Sequence, residues 1–132
     1  MKAEVIFDAF SQRKVLDREI SSSEFEDMAC DLARLRDCDQ LKLLPVLMTY
    51  VLRHHNDERK INYAEMVVFR LMPQSPGWEN LIDEMNKIEI NATLEWLVSC
   101  KDFPFVTNCK EELGLAIELF NKRSGSKNDA AP

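Results

Sequence analysis

Apolar residues recur along this chain at three- and four-residue steps in one segment after another, the spacing that gathers them on one face of an α-helix. From Ala3 to Ile20 the series Ile6, Ala9, Phe10, Arg13, Leu16 and Ile20 predicts a first helix, with a short strand at Val5-Ile6-Phe7 as the alternative. Ser23 stands three residues before Glu26, the separation at which a hydroxyl and a carboxylate satisfy each other's free backbone amides, so a second helix is expected to start there. Phe25, Met28, Ala29, Leu32 and Leu35 form its apolar side, and Glu24, Asp27 and Asp31 fall on the other.

Asp37 and Asp39 are candidate caps for a third helix that carries Leu41, Leu44, Met48, Val51, Leu52 and His55 on one face. Pro45 predicts either a kink in it or a regular start near Leu44, because proline removes a backbone donor and crowds the preceding turn. Asn62 with Glu65 repeats the capping spacing before Tyr63–Met72, a short helix apolar nearly all round and therefore expected at the centre of the core. Pro73-Gln74-Ser75-Pro76-Gly77 ends that helix, and Ser75-Pro76 signals a restart through Trp78, Leu81, Ile82, Met85 and Ile88. Ile90 to Cys100 puts Leu94, Leu97 and Val98 on one face with Trp96 and Cys100 offset; Phe103-Pro104-Phe105-Val106 then interrupts the pattern. Thr107 is the expected cap of a last helix bearing Cys109, Leu113, Ala116, Ile117 and Phe120.

The pattern predicts an all-α protein of about six to seven helices, arranged as a compact bundle or a short stack of helical hairpins. With 132 residues there is room for one core, so residues 1–123 are expected to form a single domain, and the small, polar run 124–132 a disordered tail. A composition of 45% apolar and 30% charged residues is that of a globular chain. A net charge of −6 argues against direct binding to a nucleic-acid backbone, which needs clustered Lys and Arg. No basic segment leads into an apolar one at the start and no apolar run is long enough to span a bilayer, so a cytoplasmic protein is expected. Cys30, Cys38, Cys100 and Cys109 lack a CxxC spacing and are expected as reduced, buried thiols.

The candidate chemistry is sparse. His54-His55 point about 100° apart on a helix and so do not readily share a metal; no second His or Cys cluster has ligand spacing. Gly77, Gly114 and Gly125 are isolated, so no phosphate cradle is expected, and Glu79 with Asp83 has the spacing of an ordinary solvated helix face. A non-enzymatic protein without cofactor or metal is the expectation.

Charge is more informative, because the stretch Asp17–Asp39 alone carries −5 of the chain's −6. Glu24, Asp27 and Asp31 on one helix side, extended by Asp37 and Asp39, are the candidate partner-binding residues, a negative surface suited to steering a basic protein. Trp96, Tyr50, Tyr63 and the Phe103-Pro104-Phe105 corner lie off the main apolar stripes and are candidate aromatic anchors beside it.

In size, acidity and helix content the chain resembles the immunity proteins of bacterial toxin systems, including those of contact-dependent growth inhibition. The resemblance implies a cytoplasmic inhibitor that neutralises a basic, nuclease-type toxin, with Glu24, Asp27 and Asp31 standing in for the phosphates the toxin binds. Two other classes stay open: a helical adaptor or scaffold that takes its partner in an apolar groove, and a small metal-binding protein or enzyme.

Overall fold

A computed structural model describes residues 1–16 and 18–129. Seven α-helices follow one another: α1 Ala3–Ala9, α2 Ser22–Asp31, α3 Asp37–His54, α4 Glu65–Arg70, α5 Trp78–Glu84, α6 Lys87–Ser99 and α7 Lys110–Asp129. Single 3-10 turns stand at Ser11–Arg13, Leu32–Arg34, Cys100–Asp102 and Pro104–Asn108, and there is no strand among the described residues. The all-α expectation holds, and Val5-Ile6-Phe7 lies within α1 rather than in a strand.

The first helix is shorter than its apolar spacing suggests. It ends at Ala9, and Lys14 closes the next turn in the left-handed region at φ 55°. What holds this segment is Arg13, which reaches Glu89 of α6 with two hydrogen bonds of 2.8 Å, from Nε to Oε2 and from Nη2 to Oε1. The Glu89 side chain is 1% exposed and also accepts from the Asn86 backbone N–H, while the Asn86 side chain accepts from the Glu89 N–H. One carboxylate thus both caps α6 and clamps the chain start onto it. The Glu89 hydrogen bond, more than any other cause, raises the Arg13 guanidinium above its ordinary pKa.

Helix α3 is the central rod. It runs unbroken from Asp37 with Pro45 buried inside it, and it packs against α1, α2, α4 and α5. Arg36 occupies its N-cap without a side-chain bond to the helix backbone, so neither Asp37 nor Asp39 caps it; both sit in the first turn, where a carboxylate favours the positive helix end. Trp96 from α6 is fully buried and donates its indole N–H to the Met48 carbonyl at 2.9 Å. Helices α6 and α7 form the most extensive pair, and α7 also covers α4. Ile6, Phe10, Phe25, Leu44, Leu81, Leu97 and Phe120 belong to one continuous apolar core.

Several starts and ends differ from the spacing rules. Asn62 makes no cap, and α4 begins only at Glu65 after Tyr63 turns through the left-handed region at φ 68°. Gly77, at φ 73°, starts α5, a conformation in which glycine meets no steric penalty. Ile88 is 65% exposed in α6 and adds nothing to α5. Thr107 lies in a 3-10 turn, bonded to the Pro104 carbonyl, and α7 starts three residues later. At the far end, α7 carries helical backbone through 124–129, the stretch whose composition suggests a tail, with Ser124 buried and its hydroxyl paired with Asn91 of α6. Residues 130–132 of that expected tail lie outside the described residues.

Tyr63 carries backbone strain that its side chain does little to offset, being 48% exposed. The left-handed region costs a non-glycine residue about 1–2 kcal/mol, and glycine returns part of that as chain entropy. Tyr63→Gly is therefore expected to raise unfolding stability by about 0.5–1 kcal/mol in denaturant titration. A loss larger than about 1 kcal/mol would mean that contacts of the ring outweigh the strain.

Candidate functional site

The acidic segment folds onto its own bases. Ser21, rather than Ser23, is the N-cap of α2: its hydroxyl accepts from the Glu24 N–H at 3.1 Å, and Glu24 Oε1 accepts from the Ser21 N–H at 3.1 Å. Arg18 grips the same carboxylate, Nη2 to Oε2 at 2.6 Å, and this contact, followed by the Ser21 amide, lowers the Glu24 pKa from 4.5 to about 2. Asp31 lies 3.4 Å from Arg34, and Asp39 lies 3.3 Å from Arg36 and 3.8 Å from Lys42. Asp27 is exposed and Asp37 half-exposed, and neither forms an ion pair among the described residues. Asp17, the first acid of the stretch, lies outside the described residues. Of the five expected partner-binding residues, three are thus neutralised locally, and the turn between α2 and α3 sets Arg34 and Arg36 between Asp31 and Asp37.

A depressed carboxylate pKa stabilises the folded chain above the group's ordinary value, and that contribution disappears as pH falls through the folded value. For Glu24 the loss is expected between about pH 4.5 and 2. In an NMR titration Arg18→Gln should raise the Glu24 midpoint toward 4.5, whereas an unmoved midpoint would remove Arg18 as the cause.

The two histidines go separate ways. His54 packs on Tyr50 at 4.4 Å between ring centroids, and burial, then Lys60, lowers its pKa. His55 stacks on Phe103 at 3.8 Å and nearly parallel, with its Nδ1 enclosed and without a hydrogen-bond partner among the described residues. No group of three His, Cys, Asp or Glu side chains able to hold a metal occurs among the described residues. The thiols split: Cys100 and Cys109 are buried, as expected, and burial pushes both upward, Cys109 to about 11. Cys30 and Cys38 are exposed, because the apolar stripe of α2 is narrower than the spacing implies and Cys38 stands in the first turn of α3. Of the aromatics off the main stripes, Tyr50 and Trp96 are buried, Phe103 and Phe105 half-buried, and Tyr63 exposed.

A mostly apolar open concavity lies elsewhere, on the side of α2 away from its acids. A cleft of about 430 Å³ runs between the end of α2, the following turn, α4 and α7. Ala29, Cys30, Leu32 and Ala33 form one wall, Met66, Phe69 and Met72 the other, with Gln74, Ser75 and Pro76 at one end and Glu112 of α7 facing in. Arg70 also lines it. This arginine is 4% exposed, its Nε donating to Gln40 Oε1 at 2.6 Å and its Nη1 to the Ser75 hydroxyl at 2.9 Å. Gln40 is in turn fixed by its own amide on the Leu35 carbonyl at 2.7 Å. Both partners of the guanidinium are neutral, and burial lowers its pKa, opposed by the field of Asp37.

No family model, curated protein or solved structure matches this chain. The resemblance to immunity proteins therefore has no relative behind it, and the geometry of the chain carries the functional reading.

Arg70 does not figure among the residues expected from the sequence. Its signal was a lone cation in Met66–Met72, where every other residue is apolar: such a residue is either expelled to the helix's wet side or held by polar partners inside. No helix among the described residues is long and apolar enough to cross a membrane.

Proposed function

We propose that this protein is a helical binding module, an adaptor or scaffold that takes a segment of a partner polypeptide into the apolar cleft between α2, α4 and α7. The observation that carries the reading is the cleft itself, open, walled by Ala29, Leu32, Met66, Phe69 and Met72, and provided with one buried polar anchor. A mostly apolar concavity of several hundred Å³ with few, fixed polar groups is the usual form of a recognition site. An apolar face inserted between helices is one of the recurrent ways in which proteins read a partner segment. The occupant is an amphipathic segment, apolar toward the cleft walls and polar outward.

The alternative, an immunity protein or inhibitor holding a basic toxin on its acidic surface, rests on Asp27 and Asp37, the two of its five candidate acids that form no ion pair among the described residues. Its field is weakened by Arg18, Arg34, Arg36 and Lys42, which are paired with the neighbouring carboxylates. Salt separates the two readings, since exposed charges are screened and apolar burial is not. A partner captured with the full chain and titrated at low and high salt should keep its affinity within about threefold and lose it to Ala33→Arg, which fills the cleft mouth. A partner indifferent to Ala33→Arg and lost to Asp27→Lys and to salt would establish the acidic surface instead.

A further inference from the structure

We propose that Arg70 is the anchor for an acidic side chain, Asp or Glu, carried by the partner segment that fills the cleft. This rests on the cleft reading above and adds to it the chemistry of the occupant. A guanidinium has five N–H donors. In Arg70 the Nε and Nη1 bonds go to Gln40 and Ser75, both neutral, and among the described residues Nη2 has no hydrogen bond and no carboxylate pairs with it. Arg70 is 4% exposed and its guanidinium is held only by neutral groups, so its charge is largely desolvated, and an anion that reaches Nη2 offsets that cost. Arg70 cannot shed the cost by losing its proton, because arginine stays charged in proteins. The Gln40 side chain, held by the Leu35 carbonyl, fixes the fork in one orientation, so the remaining donors are presented in place rather than searched for. A Cβ at Gly77, in its left-handed turn, would stand 3.8 Å from Nη2, so the glycine keeps a side chain of its own off that nitrogen.

The rest of the cleft selects the kind of anion. Glu112 lines the cleft from α7 and Asp37 lends a negative field, so a doubly charged group such as a phosphate is repelled about twice as strongly as a single carboxylate. The apolar walls require apolar side chains on either side of that carboxylate, and Glu112 suits a backbone N–H or a lysine of the same segment. An acid within an amphipathic segment meets all three conditions.

The test uses the full chain and a displayed library of random peptides, selected in parallel on the native protein and on Ala33→Arg. Peptides that enrich on the native protein alone should share one Asp or Glu among apolar positions. The best of them is then synthesised with that acid and with its amide counterpart. The amide form should bind the native protein about ten- to a hundredfold more weakly, the worth of a charge-assisted bond to a buried group. Arg70→Met should bind both forms equally. Because the comparison of the two peptides on the native chain needs no variant, a misfolded Arg70→Met would leave the test intact. Cleft-dependent peptides with no preferred acid, or equal binding of acid and amide, would overturn the role of Arg70 and leave the cleft reading standing. Absence of any peptide sensitive to Ala33→Arg would overturn both.

Discussion

Glu89→Ala is expected to cost roughly 3–5 kcal/mol of unfolding stability, the size of effect that follows when one member of a buried ion pair is removed. The substitution removes the Arg13 bonds from Nε and Nη2 to this carboxylate, leaving Nη2 only the Glu84 carbonyl, and at the same time frees the Asn86 N–H at the start of α6. Arg13 is 22% exposed, so water recovers part of its loss, while Glu89 itself sits at 1%. Glu89→Gln keeps an acceptor for the cap but not the charge, and should cost less, about 1.5–3 kcal/mol. Pairing Arg13→Met with Glu89→Met should return most of the loss, since an apolar pair of similar volume can replace a buried ionic one. Denaturant unfolding of the three variants checks this, and a Glu89→Ala penalty below about 1 kcal/mol would mean that the first turn is held by packing alone.

Trp96→Ala is expected to have a comparable effect, about 3–5 kcal/mol, through a cavity at the meeting of α3 and α6. The ring is fully buried, and its indole N–H ends on a carbonyl of α3, so truncation removes both volume and the polar link between the two helices. Trp96→Phe retains most of the volume and should cost about 1–2 kcal/mol. Trp78 remains in both variants as a fluorescence reporter, its own indole donating to the Leu71 carbonyl at 2.7 Å. If Trp96→Phe proved as damaging as Trp96→Ala, the hydrogen bond rather than the packing would dominate.

Much of this fold is legible in the spacing of apolar residues, and the misplacements have physical causes. The faces of α2, α3 and α7 follow the three- and four-residue steps because their buried residues do: Phe25 and Ala29, Leu41, Leu44 and Met48, Leu113, Ala116 and Phe120. The start of α2 is displaced because Ser21, Ser22 and Ser23 offer three hydroxyls and Glu24 and Glu26 two carboxylates at capping distance; Arg18, before the helix, tips the balance to Ser21 and Glu24. The capping box of α6 has the same logic in Asn86 and Glu89, and its carboxylate is further claimed by Arg13, 76 positions away, a partner no local pattern reveals.

The site was less legible. Counting charges between Asp17 and Asp39 finds an acidic surface, yet the i,i+3 spacing of Asp31 with Arg34, and of Arg36 with Asp39, already implies that part of it is paired. The cleft depends on how α4 sits between α2 and α7, and that is set by tertiary packing. Met66 and Phe69 are only partly buried because the wall they form is left open. A helix apolar nearly all round was expected at the centre of the core, and the one that fits this description also lends part of its surface to a concavity.

The claim on which the account turns is that the partner lies in this cleft and not on the acidic face of α2. Hydrogen exchange of the free chain against its complex with a captured partner or selected peptide tests it most directly. The account predicts slowed exchange on binding at amides 29–33, 66–72, 74 and 75, with 22–28 unchanged. Protection confined to 22–28 and 36–39, with the cleft amides unaffected, would contradict it.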